Sequence, residues 1–189
     1  MIGGLVLAAG AALRFGRPKQ LVELDGRPLL EHAIQTMTES PVDRVVVMLG
    51  ASAAEIAGRI DPQGADLIVC DRWDEGQSAS LACGLAELSD CEAVVITLGD
   101  QPRLSTEAIR RVIDARADGI DAVRATYAGD PGHPVLLERR LFDRMRDGTG
   151  DHGARNLLLS VPTREVPCED LGGGEDVDTP AQLDALRTR

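Results

Sequence analysis

The stretch LAAGAALRFGRPKQL, residues 7–21, holds the one lysine of the chain, Lys19, against nineteen arginines. Arg14 and Lys19 flank Gly16 and Pro18, and Gly10 and Gly16 follow an apolar run. A glycine loop at a strand end offers backbone N–H groups to phosphate oxygens, and a cation beside it neutralises their charge. The spacing is not that of the Walker motif, which sets Lys directly after its second glycine, nor is it the GxGxxG dinucleotide fingerprint. An ammonium is a compact, mobile charge able to follow one oxygen through a reaction, which a planar guanidinium does less well. In a chain that otherwise uses Arg, Lys19 is therefore the candidate catalytic cation. The plain alternative is a strand-to-helix turn with exposed charges.

Carboxylates supply the second half of the chemistry. LGDQP, residues 98–102, follows the apolar run AVVIT, and an Asp at that place suits a hard cation. Magnesium uses one or two carboxylates plus phosphate oxygens, so a second carboxylate should converge on Asp100. DVDTP offers Asp178 and, less clearly, Asp176. The alternatives are structural: Asp100 as a turn former or helix cap, and Asp178 or Thr179 as the N-cap of a helix opening at Pro180.

The elements that must position these residues alternate. Near-continuous apolar runs at 4–9, 44–49, 66–70, 93–98 and 121–126 read as strands covered on both faces, with weaker candidates at 134–137 and 163–166. Helical patterns fall at 28–38, 52–60 with Ser52 as N-cap and Glu55 three residues on, 78–88, and 105–116 with Ser105 as cap. Four strand–loop–helix repeats predict a mostly parallel α/β sheet with helices on both sides, and its ligand site beyond the carboxyl ends of the strands. The loops after Ala9, Leu49, Cys70, Leu98 and Thr126 are then the places to search. Beyond residue 127 the text turns loop-rich, as a substrate-facing half would be.

Composition bounds the rest. At 189 residues one domain is expected, with apolar content of 43% and charge of 27% typical of a globular chain. A net charge of −11 argues against binding to nucleic acid or an anionic membrane. MIGGLVLAAG lacks a basic start and reads as a buried strand, and no apolar run approaches a membrane span. Cys70, Cys83, Cys91 and Cys168 have no CxxC spacing and read as reduced core residues of a cytoplasmic protein.

LAAG-x3-R-x-G-x2-K, GQSASLACGL, GDQP, GHP, GD-x-GAR and DVDTP, in this order over nearly the whole chain, resemble the molybdenum cofactor cytidylyltransferase family. This family belongs to the nucleotidyltransferases of glycosyltransferase-A-like fold. The resemblance implies a three-layer α/β sandwich around a mixed, mainly parallel sheet, with a nucleotide-binding half about 1–105 and an acceptor-facing half about 106–189. It implies Mg²⁺-dependent transfer of CMP from CTP to a molybdopterin-type cofactor, with release of pyrophosphate, and a recipient molybdoenzyme as a further partner. By the same resemblance Leu7, Ala8, Ala9 and Gly10 meet the nucleotide, and Arg14 and Lys19 bind the triphosphate. Gln77, Ser80 and Gly84 fall in the base and ribose region, Asp100 and Asp178 hold the metal, and Gly132, His133, Asp151 and Arg155 face the pterin. Ala11 and Ala12 replace a hydroxyl-bearing residue common in this loop, which leaves one side-chain donor fewer.

LAAG together with GDQP resembles the cytidylyl branch, and the methyl of Ala9 would crowd a purine. An exclusion of that kind is worth about 1–3 kcal/mol, so the expected preference is graded. The terminal phosphate of the acceptor is already an anion and needs no strong base, so catalysis should rest on positioning and electrostatics. His133 is either a substrate contact or a general acid. The rival functions are guanylyl transfer, transfer to a sugar-1-phosphate, and a non-catalytic molybdenum cofactor chaperone.

Overall fold

The computed structural model describes residues 1–11, 16–146 and 153–187. Its strands are β1 (Ile2–Ala8), β2 (Glu23–Leu24), β3 (Arg27–Pro28), β4 (Arg44–Leu49), β5 (Asp66–Val69), β6 (Ala93–Leu98), β7 (Ala122–Tyr127), β8 (Asp130–Glu138) and β9 (Thr163–Pro167). The helices are α1 (Leu29–Thr38), α2 (Ala53–Ala57), α3 (Gln77–Glu87), α4 (Thr106–Asp114), α5 (Phe142–Met145), α6 (Arg155–Leu158) and α7 (Pro180–Arg187). Among the described residues, seven strands form one sheet in the order β5-β4-β1-β6-β8-β7-β9, and β2 pairs with β3 in a small hairpin. Within the seven-stranded sheet, pairing is parallel from β5 to β6 and between β7 and β9, and antiparallel on the two sides of β8. The mixed, mainly parallel sheet of a three-layer sandwich is what the chain forms.

The run of β1 is apolar throughout because both faces of the sheet are covered. Val6 and Ala8 join the core shared with α1 residues Leu30, Ile34 and Met37, while Leu5 and Leu7 join the opposite core with α3 residues Leu81 and Leu85. The one reversed strand follows from a short turn. Tyr127 and Asp130 pair across Ala128 and Gly129, both at positive φ, and only antiparallel neighbours can be joined so tightly.

A third apolar cluster joins distant parts of the sequence. Val22, Leu24 and Leu29 near the amino end pack with Val177, Leu183 and Leu186. Burying a side chain such as Val177, which is fully buried, contributes about 1.5–3 kcal/mol. That contact docks the last helix and, with it, the segment carrying Asp176 and Asp178.

Two expectations are corrected. Cys70 and Cys83 are not free thiols but a disulfide pair, with Cα atoms 5.9 Å apart, tying the end of β5 to α3. Cys91 and Cys168 are free and buried, as expected of core residues. Ser52 precedes α2 in a left-handed conformation and makes no side-chain capping bond, whereas the Ser105 hydroxyl does accept from the Glu107 N–H.

Candidate active site

Lys19 is held out from a single 3-10 turn, Lys19–Leu21. The neighbouring Gln20 is buried, and its Nε2 donates to the carbonyls of Ala8 at 2.7 Å and Gly10 at 3.1 Å. This amide closes the glycine loop onto the turn, while Leu21 anchors the turn in the core. Lys19 Nζ then donates to Asp100 Oδ2 at 2.6 Å and to Asp178 Oδ1 at 2.8 Å. Burial works against the ammonium, but the charge and hydrogen bond of Asp100, and then those of Asp178, outweigh it. The pKa lies above the ordinary lysine value. The three residues come from positions 19, 100 and 178, so only the fold brings them together.

The two aspartates of DVDTP divide their work. Asp178 faces Lys19, and Asp176 Oδ1 accepts from Gln101 Nε2 at 2.7 Å. The helix start is met by the neighbouring residue, since the Thr179 hydroxyl accepts from the Gln182 N–H at 3.3 Å, leaving Asp178 available to the site. Burial and then the charge of Asp100 push Asp176 up to about 6. Asp100 Oδ1 is buried and finds no hydrogen-bond partner among the described residues. An orphaned hard oxygen beside a second carboxylate fits a divalent ion. Among the described residues no three His, Cys, Asp or Glu side chains cluster as a metal cage, so such an ion would rest on Asp100 and Asp178 and take further oxygens from substrate or water.

Lys19, Asp100 and Asp178 share the wall of a pocket of about 610 Å³. Leu7, Ala8, Ala9, Gly10, Ala11, Lys19, Gln77, Ser80, Asp100 and Asp178 line it. The loops after β1, β5 and β6 supply most of the wall, at the carboxyl ends of parallel strands. Among the lining residues that the sequence reading did not single out are Gln20, Trp73 and Asp74. The single tryptophan of a chain with 2% aromatic residues was the available signal for the second. Its indole lies against Gly50, where a Cβ would come within 2.5 Å of the Trp73 Cβ.

Several expected site residues lie elsewhere. Gly84 is not in the wall; a Cβ there would come within 2.5 Å of Leu5 Cδ1, so this glycine lets α3 press on β1. Gly132 and His133 sit in the first half of β8, before Val135, where its pairing with β6 ends opposite Ile96, and neither lines the pocket. Tyr127 donates from its hydroxyl to the His133 carbonyl at 2.9 Å. Desolvation lowers the His133 imidazole to about 4, so it is neutral near pH 7 and holds no imidazolium proton to give. Arg155 is exposed and opens α6, just after Gly153, whose carbonyl accepts from Ser78 of α3 at 3.5 Å. Arg14, Ala12 and Asp151 lie outside the described residues.

A lysine clasped by two carboxylates under a glycine loop, on a mixed sheet with a nucleotide-sized pocket, defines a nucleotidyltransferase-type centre. Residues 4–165 match the MobA-like NTP transferase domain, and the chain belongs to that family. It is 32% identical to nicotine blue oxidoreductase of Paenarthrobacter nicotinovorans, over 96% of this chain and 94% of that protein. It is 30% identical to purine catabolism protein PucB of Bacillus subtilis, over 97% and 95%. Among solved structures, Rv0371c of Mycobacterium tuberculosis superposes with a TM-score of 0.88 at 29% identity, covering 100% of this chain and 98% of that one. The same protein has also been solved as a complex with manganese, with a TM-score of 0.85 at 29% identity over 99% and 98%. The fold is the glycosyltransferase-A-like fold of nucleotidyltransferases.

Proposed function

We propose that the chain transfers CMP from CTP to the terminal phosphate of a molybdopterin-type molybdenum cofactor and releases pyrophosphate. The observation that carries this reading is Lys19 between Asp100 and Asp178 in the wall of the pocket that Leu7 to Ala11, Gln77 and Ser80 also line. An acceptor phosphate oxygen attacks the α-phosphorus, the bond to the bridging oxygen breaks, and the β- and γ-phosphates leave together. Because the acceptor oxygen is already ionised, the obstacle is repulsion between polyanions. Asp100 and Asp178 would hold Mg²⁺, which when bound would neutralise phosphate charge and orient the oxygens. Lys19, with Arg14 beside it in sequence, would stabilise charge on the departing pyrophosphate, and the amide groups around Gly10 would receive phosphate oxygens. Gly132, His133, Asp151 and Arg155 would meet the pterin side.

In this reading residues 1–189 work as one domain, with nucleotide binding in about 1–105 and acceptor binding in about 106–189. The partners are CTP, the pterin cofactor and a molybdoenzyme that receives the product, in the cytoplasm and without nucleic acid. Among the described residues no helix is long and apolar enough to cross a membrane. The test is a pyrophosphate-release assay with Mg²⁺, molybdenum cofactor and each of the four NTPs. Turnover is expected, fastest with CTP, and silence with every NTP would overturn the reading.

A guanine base is the second reading, favoured by Asp74 in the pocket wall. A carboxylate can accept from N1–H and the 2-amino group of guanine at once, while cytosine offers only its 4-amino group. Asp74→Asn is expected to lower the GTP rate about 10-fold while sparing CTP if guanine is read here. An unchanged ratio in the same assay removes Asp74 from base selection.

A further inference from the structure

Gln101 follows the candidate metal ligand directly, yet it does not line the pocket. Its side chain is 2% exposed. Nε2 donates to Asp176 Oδ1 at 2.7 Å and to the Gly174 carbonyl at 3.1 Å. Both partners are acceptors, so the amide orientation is fixed by them. Its Oε1 is left buried without a partner among the described residues, a cost that a purely structural residue would avoid. One residue earlier, the Asp100 carbonyl accepts from the Val177 N–H at 2.9 Å. The segment 172–178 thus lies along residues 100–101 without belonging to any strand or helix.

An irregular segment has no ladder to set its register. Val177 anchors it by apolar burial and by its one N–H bond to Asp100, and the two bonds from Gln101 to Gly174 and Asp176 supply the side-chain restraints that set where the next carboxylate stands. We propose that Gln101 is the positioning residue that aligns Asp178 with Asp100 and Lys19, through Asp176 and Gly174. Asp176 is then a strap residue and not a metal ligand. GDQP, with LAAG, resembles the cytidylyl branch; in this proposal its buried amide acts on the carboxylate geometry, for any base. This role rests on the reading that Asp100 and Asp178 hold a divalent ion with the nucleotide.

The test is Mn²⁺ binding followed by electron paramagnetic resonance on the whole chain, without acceptor, at saturating CTP and separately at saturating GTP. Gln101→Met removes both donors at similar volume and is expected to weaken Mn²⁺ binding at least about 10-fold, equally with either nucleotide. Gln101→Glu, which sets a carboxylate against Asp176, is expected to weaken it as much. Adding Asp176→Asn to that variant restores a donor–acceptor pair and should recover most of the affinity. Unchanged Mn²⁺ affinity in both single variants, whatever their melting temperatures, would overturn the proposal. So would a changed CTP-to-GTP preference at unchanged Mn²⁺ affinity. Failure of the unaltered chain to bind Mn²⁺ with any nucleotide would instead overturn the nucleotidyl-transfer reading, and this role with it.

Discussion

The two ends of the sheet differ in how they treat their ligand side. From β5 to β6 the strands are parallel, and their carboxyl ends release loops that converge on one pocket. Between β7 and β8 a hairpin replaces the crossover helix, and Gly132, His133 and Arg155 do not line that pocket. A parallel strand must be followed by a crossover, so every such unit delivers a fresh loop to the same face. A hairpin delivers only a turn. The parallel side thus gathers its loops around one cavity, where the proposed function would seat the triphosphate, with the acceptor on the other side.

That contrast can be broken by substitution. The largest effect is expected from Lys19→Met, which removes the one ammonium between the two carboxylates and should lower turnover about 10²–10³-fold in the pyrophosphate assay. Lys19→Arg should also lose most of the rate, because a planar fork does not fit a gap of 2.6 and 2.8 Å to two separate oxygens. Near-normal turnover in either variant would show that the parallel side does not hold the chemistry. Arg155→Ala is the counterpart on the other side. It should raise the KM for acceptor about 10-fold and leave the KM for nucleotide unchanged. Equal rises in both would erase the division.

Gly84→Ala separates binding from packing within the nucleotide half. Crowding Leu5 should cost about 1–2 kcal/mol in denaturant unfolding, after a gain in helix propensity, while nucleotide KM stays put. A raised KM at unchanged stability would return Gly84 to the nucleotide contacts that the family resemblance implies. The smallest effect concerns His133. Its folded pKa of about 4 lies below the ordinary 6.5, so its stabilising contribution is full above about 6.5 and fades as pH falls toward 4. His133→Asn should flatten the fall in stability across that window by about 1–2 kcal/mol, measured by thermal or urea unfolding, and an unchanged pH profile would place the imidazole in water.

Much was legible in the residues. The apolar runs predicted the strands and, for β1, β4 and β6, their two-sided burial, because a strand covered on both faces leaves no polar positions to confuse the pattern; β5 at the sheet edge is instead partly exposed, with Val69 in the open. The lone Lys19, the Asp after AVVIT and the DVDTP motif were each visible as chemistry. What the pattern hid was the pairing of Cys70 with Cys83, since a separation of 13 residues carries no spacing rule. It also hid Trp73 and Asp74, which reach the pocket from a short irregular turn, and Gly84, whose close approach to Leu5 is a fact of helix-on-sheet packing.

The sequence by itself determined which groups could act: one ammonium, the carboxylates and a glycine loop at a strand end, because side-chain chemistry and local backbone preference are properties of residues and short windows. Only the tertiary structure decided which carboxylate does what. Asp176 and Asp178 stand two residues apart in one motif, yet the first is bound by Gln101 and the second by Lys19. That division accompanies the burial of Val177 between them, the hydrogen bond from its N–H to Asp100 and the hold of Gln101 on Asp176. These are contacts between parts of the chain more than seventy residues apart, set by packing and by no local pattern.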